Sequence, residues 1–350
     1  MIKKLFLSLF ITCSIYLSSD AMDANTIEYI TDQIKQLCIE HPIATSVMLA
    51  ATVYGISYTL MQFYKKSTRG PVKLIDSLQD QTHTPLKNTY LFAHGLAETH
   101  EQAYWYTKGK SSLPHVIDGR LFTYDFPDAT KQFWRVHFPY TGLGQHTEIM
   151  AMQSAYRQMM TKLQAENTHD DGVILIGMSR GATTILNFIG HYKPEKVRAL
   201  VIESPFDSTQ SIVNNLLKRC YIDQIPGART CGHYLLGGLF WHHSAVGERA
   251  IESIAMIDTQ VPILIVCSKQ DQLIPSDSSI LLYKTLRKRG HQKVHIFIAQ
   301  QGRHGRILHG PDGTKYQQIT HAFYKKYDAS HDPYLADLGA YLLEQSQPEL

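Results

Sequence analysis

A chain of 350 residues can build one large α/β domain and an appendage. With 44% hydrophobic and 19% charged residues its balance is that of an ordinary globular protein, and a net charge of +3 is too small and too scattered to argue for nucleic acid as a partner. Five cysteines without a Cys-x-x-Cys pair, and 18 histidines without His-Glu-x-x-His spacing, support neither a metal nor any other cofactor.

Residues 1–21 read as an export signal peptide. Lys3 and Lys4 form the charged start, Leu5 to Leu17 the apolar core, and Ser19-Asp20-Ala21 the small-residue end. Residues 22–66 read as a helical segment, beginning with the rhythm Ile27, Ile30, Ile34, Leu37, Cys38. Pro42 to Tyr64 carries no charge, and a transmembrane helix is expected over 43–64. Lys65, Lys66, Arg69 and Lys73 follow directly and favour a cytoplasmic position for what comes after. A periplasmic or secreted position is the competing outcome. Residues 67–88 read as a linker with one short strand near Val72 to Ile75.

Residues 89–346 alternate strands and helices, the pattern of a mostly parallel twisted sheet flanked by helices. Strands are predicted at Tyr90 to Ala93, Leu121 to Asp125, Val173 to Ile176, Val197 to Glu203, Pro262 to Cys267 and Val294 to Ala299. Helices are predicted at Thr147 to Ala165, from Ala182 on, near Ser278 to Arg289, at Thr314 to Lys326 and at Pro333 to Gln345. Residues 207–258 interrupt the alternation and read as a cap insertion over a site. The aromatic run Tyr234 to His243 lies inside it, as do Cys220 and Cys231. An oxidised pair there would sit badly with a cytoplasmic domain.

The chemistry concentrates at Gly177-Met178-Ser179-Arg180-Gly181. An apolar strand leads in, a helix leads out, and Ser stands at the tip of a Gly-flanked turn, the context of a nucleophile elbow. The helix N-terminus behind Ser179 favours negative charge. The Arg180 amide supplies one oxyanion donor; its side chain is expected to pack beside the helix start. A second strand ends in His94-Gly95, where Gly95 permits a tight turn and the Leu96 amide can supply the second donor.

A hydroxyl nucleophile needs a base and an acid that orients the base. Ser179, Asp271 and His304 occur in that order, each after a predicted strand, so a parallel sheet would bring all three to one edge. His295 and His309 are rival bases, and Asp125 is a rival acid that precedes Ser179.

His94-Gly95, the Gly177 to Gly181 pentapeptide, Glu203-Ser204-Pro205-Phe206, Asp271 with Ile274-Pro275, and His304 together resemble the α/β-hydrolase superfamily of serine hydrolases over about Thr89 to Tyr324. The Glu-Ser-Pro-Phe segment is similar to prolyl-oligopeptidase-like members, and His-Gly-Leu-Ala-Glu to monoacylglycerol-lipase-like ones. The resemblance implies cleavage of ester, thioester or amide bonds through an acyl-enzyme, without a metal. It leads to a carboxylesterase or lipase acting on a small-molecule or lipid-like acyl substrate. A peptidase of the same fold and a catalytically silent, membrane-bound interaction module are the alternatives.

Overall fold

The computed structural model describes Gln36 and residues 72–77, 88–95, 98–107, 114–125, 145–166, 172–219 and 249–345. The expected signal peptide and the expected span 43–64 lie outside these residues. Among the described residues no helix is long and apolar enough to cross a membrane.

Among the described residues seven strands form one sheet: β1 (Lys73–Ser77), β2 (Thr89–Ala93), β3 (Arg120–Asp125), β4 (Val173–Met178), β5 (Val197–Glu203), β6 (Ile263–Ser268) and β7 (Val294–Ala299). Their order across the sheet is β1-β3-β2-β4-β5-β6-β7. Every neighbouring pair is parallel except β1 with β3. Among the described strands, direction reverses at that edge alone. β4 and β6 are buried along their whole length, as strands covered on both faces must be. That is why their sequences are continuous apolar runs rather than alternating ones.

Helices cover both faces: α1 (Gln145–Ala165), α2 (Arg180–Tyr192), α3 (Thr209–Arg219), the single turn α4 (Ala250–Ser253), α5 (Ser276–Lys288), α6 (Gly313–Lys326) and α7 (Pro333–Gln345). One apolar layer joins Leu175, Leu200 and Ile265 of the sheet to Met152, Met159, Ile185 and Leu282 of the helices. The other joins Ile174, Ile176, Val201 and Val266 to Tyr316, Ile319 and Phe323. The α1 methionines are core residues, filling irregular gaps as an unbranched side chain can.

The antiparallel edge has its own fastening. The Arg120 guanidinium, almost wholly buried, pairs with Asp76 of β1 at 2.6 Å and with Glu166 at the end of α1, and lies over the Phe122 ring. The insertion expected over 207–258 contains α3 and α4. Residues 220–248, with Cys220, Cys231 and the aromatic run, lie outside the described ones. At its far end Ala250, Ile254 and Ile257 belong to the main core, with α4 packed close to α2 at Gly190.

Candidate active site

The strand register brings one set of strand ends to a common edge. Ala93 of β2 is level with Gly177 of β4, Met178 with Glu203 of β5, Glu203 with Val266 of β6, and Ser268 with Ala299 of β7. The segments that leave these strands carry His94-Gly95, Ser179, Ser204, Asp271 and His304. Parallel sheets place their sites at this carboxyl edge because the helix N-termini and the loop amides converge there.

Ser179 sits between β4 and α2 with φ 55° and ψ −118°, a backbone region that a residue with a Cβ enters only when its surroundings force it. Two features force it. The Ser179 amide donates to the Glu203 carbonyl oxygen at 2.7 Å. The flanking glycines allow strand and helix to close: a Cβ on Gly181 would stand 2.0 Å from the Ala93 carbonyl oxygen, and one on Gly177 would stand 2.7 Å from the Gly181 carbonyl carbon. The elbow therefore presses directly on the end of β2. Ser179 is 5% exposed.

Asp271 and His304 meet. His304 Nδ1 lies 2.7 Å from Asp271 Oδ2, and the same oxygen accepts from the Ser204 hydroxyl at 2.9 Å. Asp271 Oδ1 accepts from the Leu273 and Ile274 amides, both at 2.9 Å. Four donors thus fix one carboxylate whose side chain is fully buried, while the His304 side chain keeps 19% exposure. Burial by itself would lower the His304 pKa. The charge of Asp271, its hydrogen bond and the charge of Glu203 outweigh burial and hold it above the usual 6.5. Of the rival bases, His295 is buried in β7 and bonds the Tyr327 hydroxyl at 2.8 Å, and His309 is exposed. The side chain of Asp125 lies outside the described residues.

The His94-Gly95 turn is anchored to the same place. His94 Nδ1 bonds the Gly95 carbonyl at 2.9 Å, and the Gly95 amide donates to Gln102 Oε1 at 2.8 Å. Gln102 is buried in a 3₁₀ helix, His100–Tyr106, that no sequence periodicity signals. The Met178 side chain reaches both turns: its Cε stands 2.7 Å from where a Cβ on Gly95 would be, and 2.9 Å from the same point on Gly305. The residue before Ser179 is thus wedged between the residue after His94 and the residue after His304. Leu96 lies outside the described residues.

Arg180 opens α2, and its side chain turns inward. Its Nε pairs with Glu148 of α1 at 3.2 Å, both side chains being nearly inaccessible. Thr184 donates to Glu148 as well as to the Arg180 carbonyl. Packing beside the helix start is what the sequence leads one to expect of this side chain. Burial pushes the Glu148 pKa up to about 7, against the pull of Arg180 and Thr184.

Glu203, noted in the sequence only as part of the Glu-Ser-Pro-Phe segment, closes β5 with a carboxyl that is 1% exposed. The Tyr106 hydroxyl donates to its Oε2 at 3.0 Å. Burial raises its pKa to about 7; the Tyr106 bond, the His304 charge and the Ile307 amide oppose the rise, and the Asp271 charge adds to it. The sequence signal was an acid ending an apolar strand beside the elbow. Among the described residues no cluster of His, Cys, Asp and Glu could hold a metal ion.

Sheet order, elbow and His-acid pair define a class: the chain has the α/β-hydrolase fold. Among solved structures it is similar to the acylaminoacyl peptidase of Pyrococcus horikoshii, with 13% identity and a TM-score of 0.51, over 77% of this chain and 42% of that one. It is also similar to a puromycin-hydrolyzing peptidase of Mycobacterium tuberculosis, with 13% identity and a TM-score of 0.50, over 75% of this chain and 38% of that one. In sequence it is 30% identical over 116 residues to the uncharacterized protein YfhR of Escherichia coli (strain K12). That stretch is 33% of this chain and about a third of the relative's length. No family model matches the chain.

Proposed function

We propose that the protein is a serine hydrolase cleaving carboxylic ester or thioester bonds through an acyl-enzyme on Ser179. The observation that carries the reading is the 2.7 Å contact between His304 Nδ1 and a fully buried Asp271 carboxylate, at the edge where a strained Ser179 ends β4. With Nδ1 committed to Asp271, Nε2 is the nitrogen left to act as base. Ser179 Oγ attacks the acyl carbon as its proton passes to Nε2. The bond to the leaving oxygen or sulfur breaks, and the leaving group takes that proton. Water then attacks the acyl-enzyme, gives a proton to Nε2, and Ser179 Oγ departs with it. The Arg180 and Leu96 amides are the proposed oxyanion donors; one such donor contributes about 3 kcal/mol to the transition state.

A lipid-like acyl substrate drawn from a membrane fits the uncharged stretch 43–64, and protease protection of a tag at Leu350 in intact cells tests the cytoplasmic placement. Amide cleavage is the second reading, brought forward because the two solved structures named above are peptidases. Hydrolysis of p-nitrophenyl esters of graded chain length, set beside acylated amino-acid anilides, tests the function. Ester turnover that disappears in Ser179→Ala and in His304→Ala is expected. Turnover that survives in Ser179→Ala would reject the reading; faster turnover of the anilides would favour the peptidase.

A further inference from the structure

Glu203 is a buried carboxyl that the proposed triad does not use. Its place in the fold is unusual in how many parts of the site it touches. Its carbonyl oxygen holds the Ser179 amide at 2.7 Å. The next residue, Ser204, donates to Asp271. The Glu203 backbone pairs with Met178, whose side chain abuts Gly305. The charged and titratable groups facing the Glu203 carboxyl are Tyr106 from the 3₁₀ helix, Tyr316 from α6, His304 and Asp271. Tyr106 bonds Oε2. Tyr316 is fully buried and turned to the same carboxyl, and the Glu203 charge, after burial, pushes its hydroxyl pKa well up.

A carboxyl buried against the Tyr106 and Tyr316 hydroxyls costs stability when ionised in an apolar layer. We propose that Glu203 is a positioning residue for His304: with Asp271 it supplies a second negative charge that stabilises the imidazolium formed during the reaction. The inference rests on the serine-hydrolase reading of this site. The Glu203 charge already acts to raise the His304 pKa. Its own ionisation near pH 7 would make the acid limb of activity belong to a coupled pair rather than to one imidazole.

The test compares pH profiles of kcat/KM for wild type, Glu203→Gln and Glu203→Asp, with fluorophosphonate labelling of Ser179 and thermal melting alongside. Labelling of the wild type establishes the underlying site, so its absence sinks the hydrolase reading and not this one alone. Given labelling, E203Q should move the acid limb to lower pH by about one unit and lower the plateau in kcat about tenfold at similar KM. E203D, which keeps the charge, should restore the wild-type limb. An E203Q limb that coincides with that of the wild type would overturn the proposal. The wild type gives an independent reading even if E203Q does not fold. Its His304 ring resonance should titrate in two steps, as a second acid ionises beside it; a single inflection would reject the role.

Discussion

At the scale of single residues, the site depends on close approaches that tolerate no added atoms. A Cβ on Gly181 would overlap backbone, not a flexible side-chain end, at 2.0 Å from the Ala93 oxygen. Gly181→Ala should therefore destabilise the protein by about 3 kcal/mol or more and abolish labelling of Ser179, as denaturant melts and a fluorophosphonate assay would show. Glu203 gives a prediction of the opposite sign. Its folded pKa of about 7 lies above the ordinary 4.5, so its contribution to stability is complete below pH 4.5 and is lost as pH rises through 7. The fully developed loss is about 3 kcal/mol. E203Q should thus gain on the wild type as pH goes from 4.5 to 7 and hold a constant lead above it, measured by urea unfolding at each pH. Ser179, His304 and Asp271, the proposed nucleophile, base and acid, could be picked out in the sequence because each follows an apolar run with a fixed order along the chain. Glu203 and Gln102 could not, because a buried polar residue declares itself only through the neighbours that bury it.

Elements show why some of the chain was readable and some was not. β4 to β7 are mostly apolar and covered on both faces, and their predicted bounds agree with the structure to within a residue or two. β1 is exposed at its start and lies antiparallel at the edge, where Arg120, Asp76 and Glu166 replace apolar burial; its sequence, Lys-Leu-Ile-Asp-Ser, accordingly carries a weak strand signal. The 3₁₀ helix has three residues per turn and only seven residues, too few for a period to show. α3 is tied to the body by Asp207, whose carboxylate accepts from Ser208, Ser211 and, in α5, Ser278. Removing three acceptor contacts together in Asp207→Ala should cost about 2 to 3 kcal/mol and speed limited proteolysis within 209–219. Proteolysis at the wild-type rate would show that α3 is held by other means.

Over the whole molecule, acid is the expected weakness. His295 is buried in β7, and burial first, then the Lys326 and Arg287 charges, lower its pKa to about 4. His321 is lowered to about 4 mainly by burial, with the His115 charge adding to it. Its Nδ1 accepts from the Asp332 amide at 3.0 Å, so a proton there would set donor against donor. Groups whose folded pKa lies below 6.5 hold their stabilising effect above that pH and lose it as pH falls toward 4. Circular dichroism at constant temperature should show unfolding begin between pH 6.5 and 4, and His321→Gln should move the onset to lower pH. An onset unmoved by that change would assign acid sensitivity elsewhere. None of this was readable from 18 scattered histidines, since only packing separates a buried ring from a surface one.

The central claim is that one hydroxyl, at Ser179, is activated by the His304–Asp271 pair. Mass spectrometry of the intact, folded protein after reaction with a fluorophosphonate tests it most directly. A single adduct is expected, one that peptide mapping places on Ser179 and that forms far more slowly in Asp271→Asn. A folded protein that takes no adduct, or takes it on another residue, would contradict it.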